Sequence, residues 1–176
     1  MKFLKKANRG IIFLILLILS VSIYIVVCSV KRSDMKSESK VFINQFIDKC
    51  NAWHVIPEEY KDDPEGYVKS IEEDVRPYFE NDKAYDAYIK NVIMLQYETN
   101  IFLGELDIDS IFIETFSYDG KQAVCDVMVN STTKSSANLG SSDIGFYENY
   151  FKLKLCQKDN EIKIVSHDFD AYDFIQ

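Results

Sequence analysis

The feature that most constrains how this chain can fold is an uninterrupted apolar run near its N-terminus. The run "GIIFLILLILSVSIYIVVCSV" extends from Gly10 to Val30 and contains no charged residue. A helix rises ~1.5 Å per residue, so about twenty such residues span the ~30 Å hydrocarbon core of a bilayer. A secretory signal has a shorter apolar region that ends in small residues, whereas this run ends in bulky side chains. We therefore predict an uncleaved transmembrane helix over residues 10–30.

Two residues within the run suggest alternative forms of processing. A lipidated Cys follows small residues, because the peptidase needs slim side chains beside the cut, but Ile25, Val26 and Val27 precede Cys28. A prepilin leader would end at Gly10, but such proteins usually carry Glu at the fifth position after the cut, where this chain has Ile15. An uncleaved helix fits the run better than either alternative.

Basic residues flank the run on both sides, so the Lys/Arg bias that sets membrane orientation is nearly balanced. Four precede the run and four follow it closely: Lys2, Lys5, Lys6, Arg9, Lys31, Arg32, Lys36 and Lys40. A short basic tail ahead of a first apolar segment usually stays in the cytoplasm. We therefore predict a cytoplasmic tail over 1–9, a polar stalk over 31–39 and an extracytoplasmic domain over 40–176. The protein would be a single-pass protein of the cell membrane.

The part of the chain after the run is strongly acidic. All 28 acidic residues lie at or after Asp34, whereas six of the 20 basic residues precede it and only 14 follow. Nucleic-acid binding draws much of its affinity from Lys and Arg that neutralise phosphates. This charge balance argues against nucleic acid as a partner.

The cysteines do not form a disulfide framework. Cys50, Cys125 and Cys156 make an odd set after the apolar run. Strand alternation places Cys125 on an apolar face with Ala123 and Val127, and places Cys156 on the opposite, wetter face. We expect isolated thiols that act as small hydrophobic side chains.

Residues 40–105 show the periodicity of amphipathic helices. Ser37 or Ser39 could cap a first helix whose buried stripe recurs at three- and four-residue steps: Ile43, Phe46, Ile47, Cys50 and Trp53. After the loop "VIPEEYKDDPEG", a second helix presents Tyr67, Ile71 and Val75 on one side and should end near Pro77. A third, from about Asp82 to Phe102, has Gly104 at its C-cap and a broad apolar stripe: Tyr85, Tyr88, Ile89, Val92, Ile93, Gln96, Tyr97 and Ile101.

The period then changes from 3.6 residues to two, which indicates strands. "LDIDSIFIETFSY" alternates, Asp119-Gly120 signals a tight turn, and "KQAVCDVMVNS" resumes the alternation. The polar segment "TTKSSANLGSSDIG" leads to a second hairpin, "YENYFKLKLCQKDNEIKIVSHDFD", in which Phe151, Leu153 and Leu155 should face the core and Lys152 and Lys154 should face outward. We therefore predict an α+β fold, with about three helices on a curved antiparallel sheet of about four strands.

This arrangement resembles the nuclear-transport-factor-two-like superfamily of cone-shaped α+β domains. The resemblance rests on "VRPYFENDKAYDAYI" in the helices and on "YFKLKLCQKDNEIKIVSHDF", which is similar to the family's closing hairpin. Many members have Trp just before the Lys of the last strand, where this chain has Ile162. The resemblance implies a curved sheet wrapped against a long helix, as in a cystatin-like cone.

One N-terminal membrane helix joined to such a cone is similar in layout to the bitopic scaffold proteins of type IV secretion and conjugation machines. In those proteins the cone is an assembly surface and not an enzyme, so the resemblance implies protein partners. A second copy of this chain is one candidate partner. The superfamily also contains isomerases and dehydratases that use the cone as a pocket, so the fold alone does not decide function.

Candidate catalytic and metal-binding groups are few and dispersed. His167, Asp168, Asp170 and Asp173 could supply ligands for a divalent cation, but alternation turns His167 away from Asp168 and Asp170. Three other sets are better explained structurally, namely His54 at a helix end, the acidic pair Asp107 and Asp109, and the aromatic stripe of the third helix. We therefore predict no catalytic, cofactor-binding or metal-binding residue, no cofactor and no enzymatic activity.

Two hypotheses for function follow from the sequence. The first is a membrane-anchored, non-enzymatic scaffold or interaction module in a cell-envelope assembly, such as a conjugation or type IV secretion channel. The second is a pocket protein of the same fold, either a small-ligand binder or an isomerase-like enzyme. A cone filled with aromatic side chains would count against the second hypothesis.

Overall fold

A computed structural model describes residues 9–54, 56–95, 106–134 and 144–169 of the chain. Helix α1 (Arg9–His54) is followed by a 3₁₀ turn (Glu58–Tyr60), α2 (Pro64–Val75) and a second 3₁₀ turn (Arg76–Tyr78). Helix α3 (Asp82–Tyr88) passes directly into a π-helical turn (Ile89–Ile93). Four strands come next, β1 (Leu106–Tyr118), β2 (Gln122–Lys134), β3 (Ile144–Lys158) and β4 (Glu161–Phe169). The predicted α+β class is confirmed.

The apolar run and the first predicted domain helix form one continuous helix of 46 residues. In the described part of the chain, α1 is the one helix long and apolar enough to cross a membrane, and its apolar side chains before Lys31 are exposed. The predicted helix start at Ser37 or Ser39 is wrong, because residues 31–39 are helical throughout. Ser39 is fully buried and Met35 is 4% exposed, so the domain begins to pack on α1 within this segment.

The predicted stripe of α1 is confirmed, since Ile43, Phe46, Ile47 and Trp53 are buried and Cys50 is half-buried. Helix α2 begins at Pro64, where the Asp63 side chain accepts a hydrogen bond from the Gly66 amide. It ends before Pro77 and buries Tyr67, Ile71 and Val75, as predicted.

Helix α3 begins at Asp82, as predicted, and its α-helical hydrogen bonding gives way to a π-helical turn after Tyr88. A π turn inserts one residue and rotates the positions that follow. Tyr85, Tyr88 and Ile93 are buried, and Ile89 and Val92 pack against the core. The predicted positions Gln96, Tyr97, Ile101 and Gly104 lie outside the described residues.

The four strands form one antiparallel sheet in the order β1-β2-β3-β4. Asp119-Gly120 makes the first predicted turn, with Gly120 at φ +96°. Asp159 and Asn160 form a two-residue turn between β3 and β4 with φ of 53° and 66°, the left-handed pair typical of a type I′ hairpin. Extra residues bulge at Asp109 and Glu114 in β1 and at Val165 in β4. Such bulges bend a strand and increase its twist.

Helix α1 crosses one face of the sheet, here called the inner face, from the β1 edge to the β4 edge. A single row of paired residues runs across the four strands: Phe116, Cys125, Leu153 and His167. Arg32 of α1 donates a hydrogen bond to the Phe116 carbonyl at one end of this row, and Phe46 of α1 contacts the His167 ring at the other. The core lies between this helix and the inner face.

Two predictions about strand faces have different outcomes. Leu153 and Leu155 are fully buried, Phe151 packs against the core and Lys152 is exposed, as predicted. Cys156 lies on the same face as Lys152 and Lys154, as predicted, but it is only 9% exposed, so its expected exposure to water is wrong. The segment 76–80 folds over this end of the hairpin, where Lys158 Nζ donates to the Glu80 carbonyl at 2.9 Å.

Candidate functional site

An aromatic cluster, centred on Phe46, fills the space between α1, α3 and the inner face of the sheet. The ring of Phe46 lies 5.4–6.4 Å, centroid to centroid, from six other rings: Phe42, Trp53, Tyr78, Phe79, Tyr88 and His167. Aromatic pairs at such separations stabilise a core beyond the area they bury. Tyr85 and Tyr88, from the predicted stripe of the third helix, therefore belong to a packed interior.

His167 points into this cluster and away from the exposed Asp168. Its ring stacks on Phe151 at 4.9 Å and meets Tyr88 edge-on at 5.2 Å. The Nδ1 atom is buried and has no hydrogen-bond partner in the described part of the chain. Burial lowers the pKa of His167 from 6.5 to about 4, because an apolar environment disfavours the imidazolium. The imidazole is therefore neutral at neutral pH.

Cys50 and Tyr88 meet next to His167. The Cys50 Sγ atom lies 3.4 Å from the Tyr88 hydroxyl. Burial raises the pKa of the Cys50 thiol to about 12 and also raises the pKa of Tyr88 well above its ordinary value. Burial likewise raises the pKa of Cys125 to about 11. Because the thiolate is the nucleophilic form of Cys, the raised pKa values keep both thiols protonated at neutral pH.

The structure separates the remaining candidate residues. Asp168 is exposed on the sheet face opposite His167, and Asp170 and Asp173 lie outside the described residues. The exposed Asp107 and Asp109 lie on β1, where Asp109 occupies a bulge. His54 ends α1, and its side chain is outside the described part. Among the described residues, no group of three or more His, Cys, Asp or Glu side chains is arranged to hold a metal ion.

An open groove of about 740 Å³ runs between α1 and the β3–β4 turn. Val41 and Phe42 of α1, Tyr78 and Ile162 supply apolar surface, and charged side chains such as Lys49 surround it. Lys163, also at the groove, donates hydrogen bonds to the Pro77 carbonyl and the Glu161 carboxylate at 2.8 and 2.5 Å. Sequence reasoning did not identify this groove, because its residues come from distant segments.

The outer face, which is the sheet face opposite α1, combines an apolar and a polar row. Phe112, Met128 and Tyr150 are paired across β1, β2 and β3, and Phe112 is 48% exposed. The adjacent row pairs Thr115, Asp126, Lys152 and Asp168, with Lys152 Nζ 3.4 Å from the Asp126 carboxylate. The predicted outward direction of Lys152 identifies this face, but sequence reasoning did not single out Phe112, although the alternation of β1 separates it from its inward-facing neighbours.

Comparisons of this chain with protein-family models, with curated proteins and with solved structures found no match. Its function is therefore inferred from its own geometry and chemistry.

Proposed function

We propose that this protein is a membrane-anchored, non-enzymatic interaction module of a cell-envelope assembly, with its C-terminal domain on the extracytoplasmic side. The observation that carries the proposal is the continuity of α1. The helix that is long and apolar enough to cross a bilayer is also the central helix of the domain. Anchoring and folding thus depend on one element, which would hold the domain rigidly beside the membrane.

The chemistry of the interior supports a binding role over a catalytic one. General acid–base and nucleophilic catalysis require groups that titrate near the working pH and can reach a substrate. His167, Cys50 and Tyr88 lie within the aromatic cluster, where burial holds each of them in its neutral form. The outer face, in contrast, offers the exposed Phe112 beside charged side chains. Aromatic residues with a polar surround are common in protein interfaces.

The cone-like fold and the type IV secretion or conjugation setting belong to this proposal. A helix lying across a four-stranded sheet whose strands bulge at Asp109, Glu114 and Val165 fits a curved, cone-shaped domain. The layout of one membrane helix followed by such a domain is the basis for suggesting a channel component, and protein partners would include a second copy of this chain.

Site-specific photo-cross-linking in membranes tests the proposal. A photoreactive residue at Phe112 should yield adducts with protein partners, whereas the same residue at Asp159, in the exposed turn of the β3–β4 hairpin, serves as the matched control. Resistance of the protein to alkaline extraction tests membrane anchoring. Cleavage of the C-terminal domain by a protease added outside the cell tests its orientation. Recovery of the protein only as an uncross-linked monomer from intact membranes would remove the support for an assembly role.

The groove beside α1 favours a second candidate function, the binding of a small ligand. Its apolar surface and surrounding charges resemble the mixed lining of ligand sites. Val41 is 56% exposed at the groove, so Val41→Glu should obstruct the groove without unfolding the domain. Fragments that bind the wild type but not this variant in ligand-observed NMR would support the pocket function, and equal binding to both would count against it.

A further inference from the structure

The direction in which α1 crosses the sheet ranks the four strands by their distance from the apolar run. Arg32 contacts the carbonyl of Phe116 in β1, and Phe46 contacts His167 in β4. Phe46 follows Arg32 by 14 residues, which is roughly 21 Å of helix at 1.5 Å per residue. The row from Phe116 to His167 covers three strand spacings, or roughly 14 Å. Strand β1 is therefore nearest the apolar run, and β4 is farthest.

The distance between β1 and the end of the apolar run is short. Val30 is the last residue of the run, so Arg32 lies roughly 3 Å beyond it along the helix. A bilayer is about 40–45 Å thick in total and its hydrocarbon core is about 30 Å thick, so the headgroup region on each side is about 5–8 Å thick. Because residues 31–39 are helical and Met35 and Ser39 are buried against the domain, no flexible stalk separates the sheet from this layer.

We propose that the Phe116 end of β1 and the β1–β2 turn lie against the phospholipid headgroups of the bilayer that α1 crosses. The inference rests on the proposed membrane anchoring. Lys31 and Arg32 are exposed where α1 leaves the apolar run, and Lys121 is exposed in the turn beyond Phe116. Arg32 uses one N–H for the Phe116 carbonyl, and the rest of its fork suits phosphate oxygens. The domain therefore has one fixed side toward the lipid, and its strands lie across the direction of the membrane helix.

Two serines on the outer face provide a matched pair of reporter positions. Ser117 of β1 and Ser166 of β4 belong to the same cross-strand row, through Val124 and Lys154. Three strand spacings, or about 14 Å, separate them across the sheet, and Ser166 is on the strand farther from the apolar run. Trp53 is the only Trp in the chain, so Trp53→Phe gives a background in which Ser117→Trp or Ser166→Trp supplies all of the tryptophan emission.

The full chain would be reconstituted into phosphatidylcholine vesicles that contain a phosphatidylcholine with a nitroxide on its headgroup. We expect emission from Ser117→Trp to fall about twofold or more and emission from Ser166→Trp to stay nearly unchanged, since nitroxide quenching is short-ranged and the strands are ~4.8 Å apart. Should Trp53→Phe disturb folding, judged by circular dichroism, the same pair is measured with Trp53 retained as a constant background.

The outcomes separate this inference from the proposed function. Equal quenching at both positions, or none at Ser117→Trp, in protein that resists alkaline extraction from the vesicles would overturn the lipid contact and leave the anchoring intact. Protein that is extracted by alkali would instead overturn the anchoring on which the inference rests.

Discussion

Protonation of His167 should make the stability of the domain depend on pH, and the variant His167→Phe isolates this effect. The substitution keeps an aromatic ring among Phe46, Tyr88 and Phe151 but removes the titratable nitrogens. It also removes the buried Nδ1 atom that has no hydrogen-bond partner in the described part of the chain. At pH 7.5 we expect the free energy of unfolding of the variant to be within about 1 kcal/mol of the wild-type value. Replacing a buried polar group that has no hydrogen-bond partner by an apolar group of similar shape changes stability little.

The sign and size of the effect follow from the lowered pKa of His167. The unfolded chain takes up a proton near pH 6.5, whereas the folded chain resists protonation down to about pH 4. Between these values the unfolded state binds more protons, so the free energy of unfolding falls as the pH falls. At 1.36 kcal/mol per pKa unit, the gap corresponds to a loss of about 3 kcal/mol, which is complete once the pH is below 4. Above pH 6.5 the contribution of the neutral imidazole is fully present.

Urea unfolding of the full chain in detergent micelles measures this effect, with fluorescence of the buried Trp53 as the reporter. The difference in unfolding free energy between His167→Phe and the wild type should widen steadily from pH 7 to pH 4, because all other titrating groups are shared. Asp168→Asn, which changes the exposed neighbour on the opposite face, should follow the wild type. A difference that stays constant across this pH range would refute the placement of a neutral His167 in the aromatic cluster.

Three further predictions concern packing, turn geometry and thiol chemistry. Phe46→Ala should lower the free energy of unfolding, measured by urea unfolding, by about 3–5 kcal/mol, since the ring is 1% exposed. Val41→Ala, at an exposed site on the same helix, is the control and should change this free energy by about 0.5 kcal/mol or less. Asn160→Val should cost about 1–2 kcal/mol because its φ is 66°, and Asn160→Gly should cost nothing measurable in the same assay. Cys50 and Cys125, with pKa values raised to about 12 and 11, should resist iodoacetamide at pH 8 in the native protein and react in urea, as followed by mass spectrometry. Rapid labelling of the native protein would contradict their burial.

Short-range patterns predicted most of the secondary structure. The alternation of "LDIDSIFIETFSY" matches the bounds of β1, and Asp119-Gly120 forms the expected turn. The stripe that contains Phe46 and Trp53 identifies the buried face of α1. These elements were predictable because each depends on residues close together in the chain, whose periodicity matches that of a helix or a strand.

Features that depend on distant contacts were not predictable in the same way. Ser37 and Ser39 suggested a helix start, but no Pro or Gly interrupts residues 31–39, and continuing a helix costs less than starting a new one. Ser39 is then held by burial against the domain. The π turn after Tyr88 shifts the helical register by one residue, which periodicity does not reveal. Cys156 is only 9% exposed, and the segment 76–80, which lies far away in the sequence, contacts Lys158 and Lys163 at the same end of the hairpin.

The two edges of the sheet indicate how a partner would bind. An open edge strand readily pairs with a strand from another chain, and proteins prevent this by covering the edge or by bulging it. The β4 edge is occupied at its centre, since the Glu80 amide donates to the Ile164 carbonyl at 2.9 Å and Phe79 pairs with Ile164. The β1 edge instead carries the acidic bulges Asp109 and Glu114. With strand addition disfavoured at both edges, a protein partner would dock through side chains on the outer face, where Phe112 is exposed, rather than by extending the sheet.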